Sequence, residues 1–360
     1  MKKVEKFNYG MGIGGWLTNY KRFNVLPNDK RMDLTVGDFE HFESFITEAD
    51  VKNIADMGFD HIRLGFDQIV LEERPFVYRE RIFSLLDKFV SYCEKHGLGL
   101  VLNLHKAIGN YCDISEPVSI FESDELMDRF VALWLEIEKR YNKNGDVMFE
   151  LLNEVRDINP DDWNNLAEKA IKEIRKINPI RRIIVGSTRW NNVETLKYLR
   201  IWDDENVFYT FHMYEPFEFT HQRGVLMANT LYYNRKLEYP CDDVDRYRDF
   251  YRLNGENRYE NLDRIDINYI RSFMKGAKEF TEAHPDKVLW CGEFGTIRHA
   301  DIKSRENWMR DVITVLKEWN IPYCVWNYLS TPNDGNRFSL VDDDTRKILS
   351  KGLLNALLGK

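Results

Sequence analysis

The chain has 360 residues, 43% hydrophobic and 31% charged, enough for a large core beneath a soluble surface. Its net charge of −8 includes no long block of one sign, which argues against nucleic-acid or anionic-membrane partners, since both need concentrated basic charge. Five cysteines, an odd number with no CxxC pair, argue against a disulfide framework or a structural zinc site, and no stretch approaches 18 apolar residues. The first residues hold no apolar run of signal-peptide length, so the expectation is a cytoplasmic protein, or an extracellular one if a leader was removed.

Short apolar runs rich in β-branched and aromatic residues recur along the chain and predict strands at 9–16, 61–66, 99–104, 147–152, 182–187, 207–212, 288–293 and 323–326. Amphipathic helices lie between them. Thr47 and Asp50 form a capping-box pattern, and Gly58 ends that helix. Ile82, Leu85, Leu86, Phe89, Val90 and Cys93 make one apolar stripe. Trp163, Leu166, Ala170, Ile171, Ile174 and Ile177 make another, opened by Asn159 as cap and Pro160 in the first turn. Strands alternating with helices predict one parallel (β/α)8 barrel of the TIM type, a single domain over 1–360.

The spacing breaks once. Between the sixth and seventh strands the interval is about twice the usual repeat, with the excess at 217–263, rich in Tyr, Arg and Asp. Because it follows the C-terminal end of a strand, where barrels carry their active sites, the stretch is expected to be an inserted subdomain roofing part of the cleft.

Several apolar strands end in polar residues: Arg63 in the second, His105 after the third, Asn153 and Glu154 after the fourth, His212 and Tyr214 after the sixth, Glu293 after the seventh and Trp326 after the eighth. Such an end is an odd local choice unless it opens into a site. Two carboxylates from strands on opposite sides of one barrel mouth are the equipment for glycoside cleavage, in which a proton donor and a nucleophile flank the bond. Aromatic content of 14% adds platforms for flat, neutral sugar rings. Trp16, Phe66, Trp190, Phe217 and Tyr328, all near strand ends, are further candidates for sugar contact, whereas Trp134, Trp163, Trp308 and Trp319 lie in helical patterns that suggest packing.

From GIGGW near residue 12 to VWNY near residue 325, the chain resembles glycoside hydrolase family 5, a clan A barrel family of cellulases, mannanases and related enzymes. The stretches FHMYEPFEFTHQ and YYNRKLEYP are similar to clostridial endoglucanases with an insertion after strand six. The resemblance implies that Glu154 is the acid/base and Glu293 the nucleophile of a retaining enzyme. Partial burial and the second carboxylate should raise the pKa of Glu154. It also implies that Arg63 supports the Glu293 anion and that Tyr214 orients it. Asn153 would bind the sugar 2-hydroxyl, His105 and His212 would bind sugar or tune the carboxylates, and Trp326 would stack beneath the sugar at the cleavage point.

Three positions depart from the family pattern. Asn-Glu-Pro becomes Asn153-Glu154-Val155, Arg-Leu-Pro becomes Arg63-Leu64-Gly65, and His-His becomes His105-Lys106, which puts a lysine beside the cleft and bears on substrate preference. The expected substrate is a soluble or chain-accessible β-linked polysaccharide or oligosaccharide, cut within β-1,4-linked or mixed-linkage glucan. No cofactor, metal, membrane, nucleic acid or protein partner is expected, and the chain should be a monomer. Mannan, glucomannan, xyloglucan, xylan and a small exo-cleaved β-glucoside remain alternative substrates. A metal site using His105, His212 and a glutamate, or a non-catalytic carbohydrate-binding barrel, would be a different class.

Overall fold

The computed structural model describes residues 4–18, 30–112, 116–253, 255–331 and 334–359. Eight strands run in sequence order around a closed barrel: β1 Tyr9–Leu17, β2 His61–Asp67, β3 Gly99–Lys106, β4 Val147–Glu150, β5 Ile183–Gly186, β6 Val207–Met213, β7 Leu289–Phe294 and β8 Tyr323–Val325. Every neighbouring pair is parallel, and β8 closes on β1 through Tyr9 opposite Tyr323 and Met11 opposite Val325. All eight predicted strands are present. The fourth is shorter than expected and ends at Glu150, so Leu152, Asn153 and Glu154 lie on the following loop.

The outer layer includes helices α1 Glu48–Met57, α2 Glu80–Lys95, α3 Asp124–Tyr141, α4 Pro160–Ile177, α5 Lys275–Ala283, α6 Ile302–Glu318 and α7 Lys351–Leu358. Between β5 and β6 the crossover is a 3-10 stretch, Val193–Tyr198. In α1 both Thr47 N and Oγ1 donate to Asp50, and Gly58 ends the helix at φ 101°, a left-handed conformation that glycine adopts without steric cost. Asn159 caps α4 by accepting from the Asp161 amide, with Pro160 in the first turn. Trp134, Trp163 and Trp308 are fully buried in this layer, as their helical patterns suggest. No helix among the described residues is long and apolar enough to cross a membrane.

Strand alternation sorts each side chain to the barrel interior or to the helices. Val101, Met148, Ile184, Phe208, Trp290 and Cys324 meet Phe7 in a separate apolar plug inside the barrel, while Leu100, Leu102, Phe149, Ile183 and Tyr209 belong to the outer core. The direction of each side chain accounts for three corrections. Phe66 falls in step with Ile62 and Leu64 on the outer face of β2 and meets Trp134 of α3 edge-on, so it is core and not a sugar contact. Trp16 follows an irregularity in β1, packs on Phe89 of α2 and donates its indole N–H to Phe42 O at 2.7 Å. Tyr328 lies beyond β8 with no exposed surface and donates to Asp50 of α1 at 3.0 Å. Neither reaches the mouth.

One row in β1 carries almost no volume. A Cβ on Gly10 would lie 2.2 Å from the His61 ring, and on Gly14 2.3 Å from the Trp326 ring; on Gly12 it would press on the same indole at 3.0 Å. The alternating glycines of YGMGIGG thus leave room for the His61 ring from β2 on one side and the Trp326 indole from across the closing seam on the other.

Between β6 and β7 the described residues form short helices, Phe217–Thr220, Ala228–Tyr233, Asp245–Arg252 and Ile267–Phe273. Arg258 and Tyr269 both reach the Glu215 carboxylate, tying this stretch to the end of β6. Glu218 is buried beside it, close to both Glu215 and Tyr259. Burial, and then the nearby Glu215 charge, push its pKa up to about 8. From the ordinary carboxylate range up to about pH 8, the folded chain therefore holds a proton that the unfolded chain has released. Stability should fall with rising pH across that window, by up to about 1.4 kcal/mol per unit, and level off above it. Glu218→Gln removes this contribution. Thermal unfolding from pH 5 to 9 is expected to show a shallower decline for the variant, and parallel curves would refute the assignment.

Candidate active site

The site is built outward from Arg63, which points from β2 into the barrel and has no exposed surface. Its Nε and Nη2 donate to the two oxygens of Glu150 at 2.6 and 2.8 Å, forming a fork. Nη2 also reaches Asn153 Oδ1 at 2.7 Å, and Nη1 reaches Glu293 Oε1 at 2.5 Å. Burial alone would lower the guanidinium pKa, but Glu150 and Glu293 outweigh it and hold the group above its ordinary value. Forked, charge-assisted bonds of this kind fix direction as well as supplying energy.

Glu293 stands at the end of β7 and is 5% exposed. Its second oxygen accepts from the Tyr214 hydroxyl at 2.9 Å. Burial, then the charges of Glu293 and Glu154, keep the Tyr214 pKa well above the usual phenol range, so the hydroxyl stays a donor. Glu154 is the more accessible carboxylate, its side chain 21% exposed, with His212 Nδ1 2.9 Å from its Oε1. His212 also lies 3.7 Å from Glu293 Oε2 and meets Asn191 through Nε2 at 3.0 Å. Burial pulls the His212 pKa down to about 4, so the ring is neutral near pH 7 and adds no positive charge between the two carboxylates.

Local backbone geometry aims Glu154. Its φ is 44°, in the left-handed region that a non-glycine residue enters only at a cost, on the order of 1–2 kcal/mol. Arg189, Trp190 and Asn191, just after β5, are also left-handed. Two backbone bonds join these loops: Trp190 N to Val155 O at 2.9 Å and Arg189 N to Arg156 O at 3.3 Å. The turn is thereby held on the C-terminal side of Glu154.

His105 stacks on Trp326 with ring centroids 5.5 Å apart and planes 5° apart, and its Nδ1 lies 3.0 Å from Asn103 Oδ1. Burial, then Lys106 and Arg63, hold its pKa well below the usual histidine range, so this ring is neutral too. Trp190 is 43% exposed and donates its indole N–H to Cys112 O at 2.9 Å. Phe217 stacks on His221 at 4.1 Å, and His221 meets Tyr214 edge-on at 5.1 Å. Arg63, His105, Asn153, Glu154, His212, Tyr214, Glu293 and Trp326 are thus brought together as expected, with Trp190 and Phe217 partly exposed nearby. Lys106 is a further correction. One position out of step with His105, it turns away from the cleft, is 2% exposed and lies 3.8 Å from Asp67.

Three participants were missed. Glu150 and Asn103 occupy inward positions of their strands, and a charged or amide group on an otherwise apolar strand is a signal that could have found them. Asn191 carries no such signal. One ligand atom each from Glu154, His212 and Glu293 could be gathered within 4.8 Å. The guanidinium already lying against Glu293 opposes a cation there, and His105 is not part of that group.

Paired carboxylates at the C-terminal mouth of a (β/α)8 barrel, with neutral histidines, an orienting tyrosine and an indole beside them, define a glycoside hydrolase. Residues 28–331 match the family described as cellulase, glycosyl hydrolase family 5, and the chain belongs to that family. Endoglucanase C of Acetivibrio thermocellus is 36% identical over 98% of both chains. Cellodextrinase A of Ruminococcus flavefaciens is 31% identical over 87% of this chain and 82% of its own. Among solved structures, Cel5A of Thermotoga maritima in complex with cellobiose superposes with a TM-score of 0.71 at 25% identity, covering 98% of this chain and 97% of that one.

The Arg63 arrangement carries a stability cost if broken. Arg63→Met leaves Glu150 and Glu293 buried without their partner and is expected to cost roughly 3–5 kcal/mol in denaturant unfolding. Arg63→Lys should recover only part of this, because an ammonium cannot fork. Full recovery by lysine would show that charge alone matters.

Proposed function

We propose that the protein is a retaining endo-β-1,4-glucanase acting on soluble or chain-accessible β-glucan. The observation that carries the reading is the pair of carboxylates, with oxygens of Glu154 and Glu293 no more than 4.8 Å apart. Double displacement uses a separation of roughly 5–5.5 Å, whereas inversion needs room for an intervening water. Glu293, bound by Arg63 and Tyr214, is the nucleophile. Glu154, more open to the cleft, gives its proton to the departing sugar oxygen. A covalent glycosyl-enzyme forms on Glu293, and water then attacks the sugar carbon, giving a proton to the Glu154 carboxylate as it does so and releasing Glu293.

Asn153 is positioned for the sugar 2-hydroxyl, and Trp326 is the platform for the sugar at the cleavage point. His105 and His212 are neutral donors or acceptors around it, and Trp190 and Phe217 extend the binding surface. The 217–263 stretch roofs the cleft as a lid. Relatives described as endoglucanases support cleavage within glucan chains, while structures of Thermotoga maritima Cel5A with cellobiose and with mannotriose make glucomannan the substrate to compare first.

The test is hydrolysis of carboxymethyl cellulose, barley β-glucan, glucomannan and xylan by the wild type, Glu154→Gln and Glu293→Gln. The wild type should cut at least one glucan with retained anomeric configuration, and each variant should lose at least ~10³-fold. Near-full activity in either variant, or an inverted first product, would overturn the assignment.

A further inference from the structure

We propose that Glu150 is a positioning residue that absorbs the charge of Arg63, so that the Glu293 anion remains felt by Glu154 and keeps it protonated. The inference rests on the roles given above to Glu154 and Glu293. Both oxygens of Glu150 are taken by the Arg63 fork, and the remaining nitrogen of that guanidinium reaches Glu293. Arg63 and Glu150 have fully buried side chains, and that of Glu293 is 6% exposed. One fixed positive charge therefore faces two carboxylates.

If Glu293 were the sole partner of Arg63, the pair would be neutral overall and would act only weakly on Glu154. With Glu150 present, the trio carries one net negative charge beside Glu154, and a nearby anion disfavours a second. The fork also holds the guanidinium in the orientation that aims Nη1 at Glu293.

Several described residues around this trio are uncharged near pH 7. His212 from β6 and His105 from β3 are held neutral by burial, Tyr214 remains a hydroxyl, and the buried Cys324 of β8, its pKa well above the usual thiol range, remains a thiol. Asn153, the other acceptor on Arg63, is uncharged. Among the described residues, Glu150 is the anion that shares Arg63 with Glu293 and so sets how much of its charge is left for the nucleophile.

The test is the pH dependence of kcat and kcat/KM on a soluble β-glucan for the full chain, with wild type, Glu150→Gln and Glu150→Asp compared. In Glu150→Gln the basic limb, which reports loss of the Glu154 proton, should move down by about one pH unit, and the acid limb should move with it. KM should change less than kcat, and Glu150→Asp, which keeps the charge, should restore the wild-type limbs. Limbs that coincide with wild type in Glu150→Gln, however low the rate, would reduce Glu150 to a structural part and overturn the proposal.

Should Glu150→Gln not fold, carbon-13 titration of glutamate carboxyls in the wild type decides the matter, with the signals assigned by Glu154→Gln and Glu150→Asp. A protonated Glu154 at pH 6 is expected, and an ionised Glu154 would overturn it. A wild type that cleaves no glucan would instead sink the parent assignment, so the two failures are distinguishable.

Discussion

A guanidinium shut away from water inside a β-barrel must have its charge answered by protein. Arg63 is answered three times, by Glu150, Glu293 and Asn153, and these partners sit on two other strands and a loop. That requirement links β2, β4 and β7 at one height in the barrel. It also divides the interior: below lies the apolar plug around Phe7 and Trp290, and above lies the polar mouth. The carboxylate at the end of β7 is consequently held between a cation on one oxygen and a phenol on the other, with little freedom to rotate.

The second carboxylate is controlled differently. Glu154 owes its direction to a left-handed backbone turn that the loop after β5 braces through two peptide hydrogen bonds. Burial lowers the pKa of the neighbouring histidine rings and keeps them neutral even in mildly acidic solution, so among the described residues Arg63 is the buried cation that faces the carboxylates of the mouth. The stretch after β6 joins this arrangement at its root, because Glu215, held by Arg258 and Tyr269, directly follows Tyr214.

Much of this was readable before any coordinates. Alternation of short apolar strands with amphipathic stripes is a direct consequence of how a parallel barrel buries its surface, so the eight strands and their order followed. Glu154, Glu293, Arg63 and Tyr214 stood out because polar groups at the ends of apolar strands contradict the local pattern. What failed was the second step, from lying near a strand end to facing the mouth. Phe66 and Trp16 are near ends but face outward, and the irregularity in β1 that turns Trp16 toward α2 leaves no mark in the sequence. Glu150 was passed over for the opposite reason: it lies one turn of the pleat below the obvious Asn-Glu pair, where the eye reads only strand. Asn191 depends on a run of left-handed residues that no composition signals.

The glycine row in β1 bears on how a site of this kind can diverge. Trp326 lies over Gly12 and Gly14, so its height above the barrel floor is fixed by side chains that are missing. A new residue at either position would lift the indole and disturb the β8–β1 seam together, making that side of the mouth an unforgiving place for variation. Trp190 and Phe217 sit on the connections that follow β5 and β6 and are partly exposed, and changes there need not disturb the barrel. New ligand preferences therefore have room to arise along the rim after β5 and β6, while the floor beneath the indole is held to the one amino acid that has no side chain.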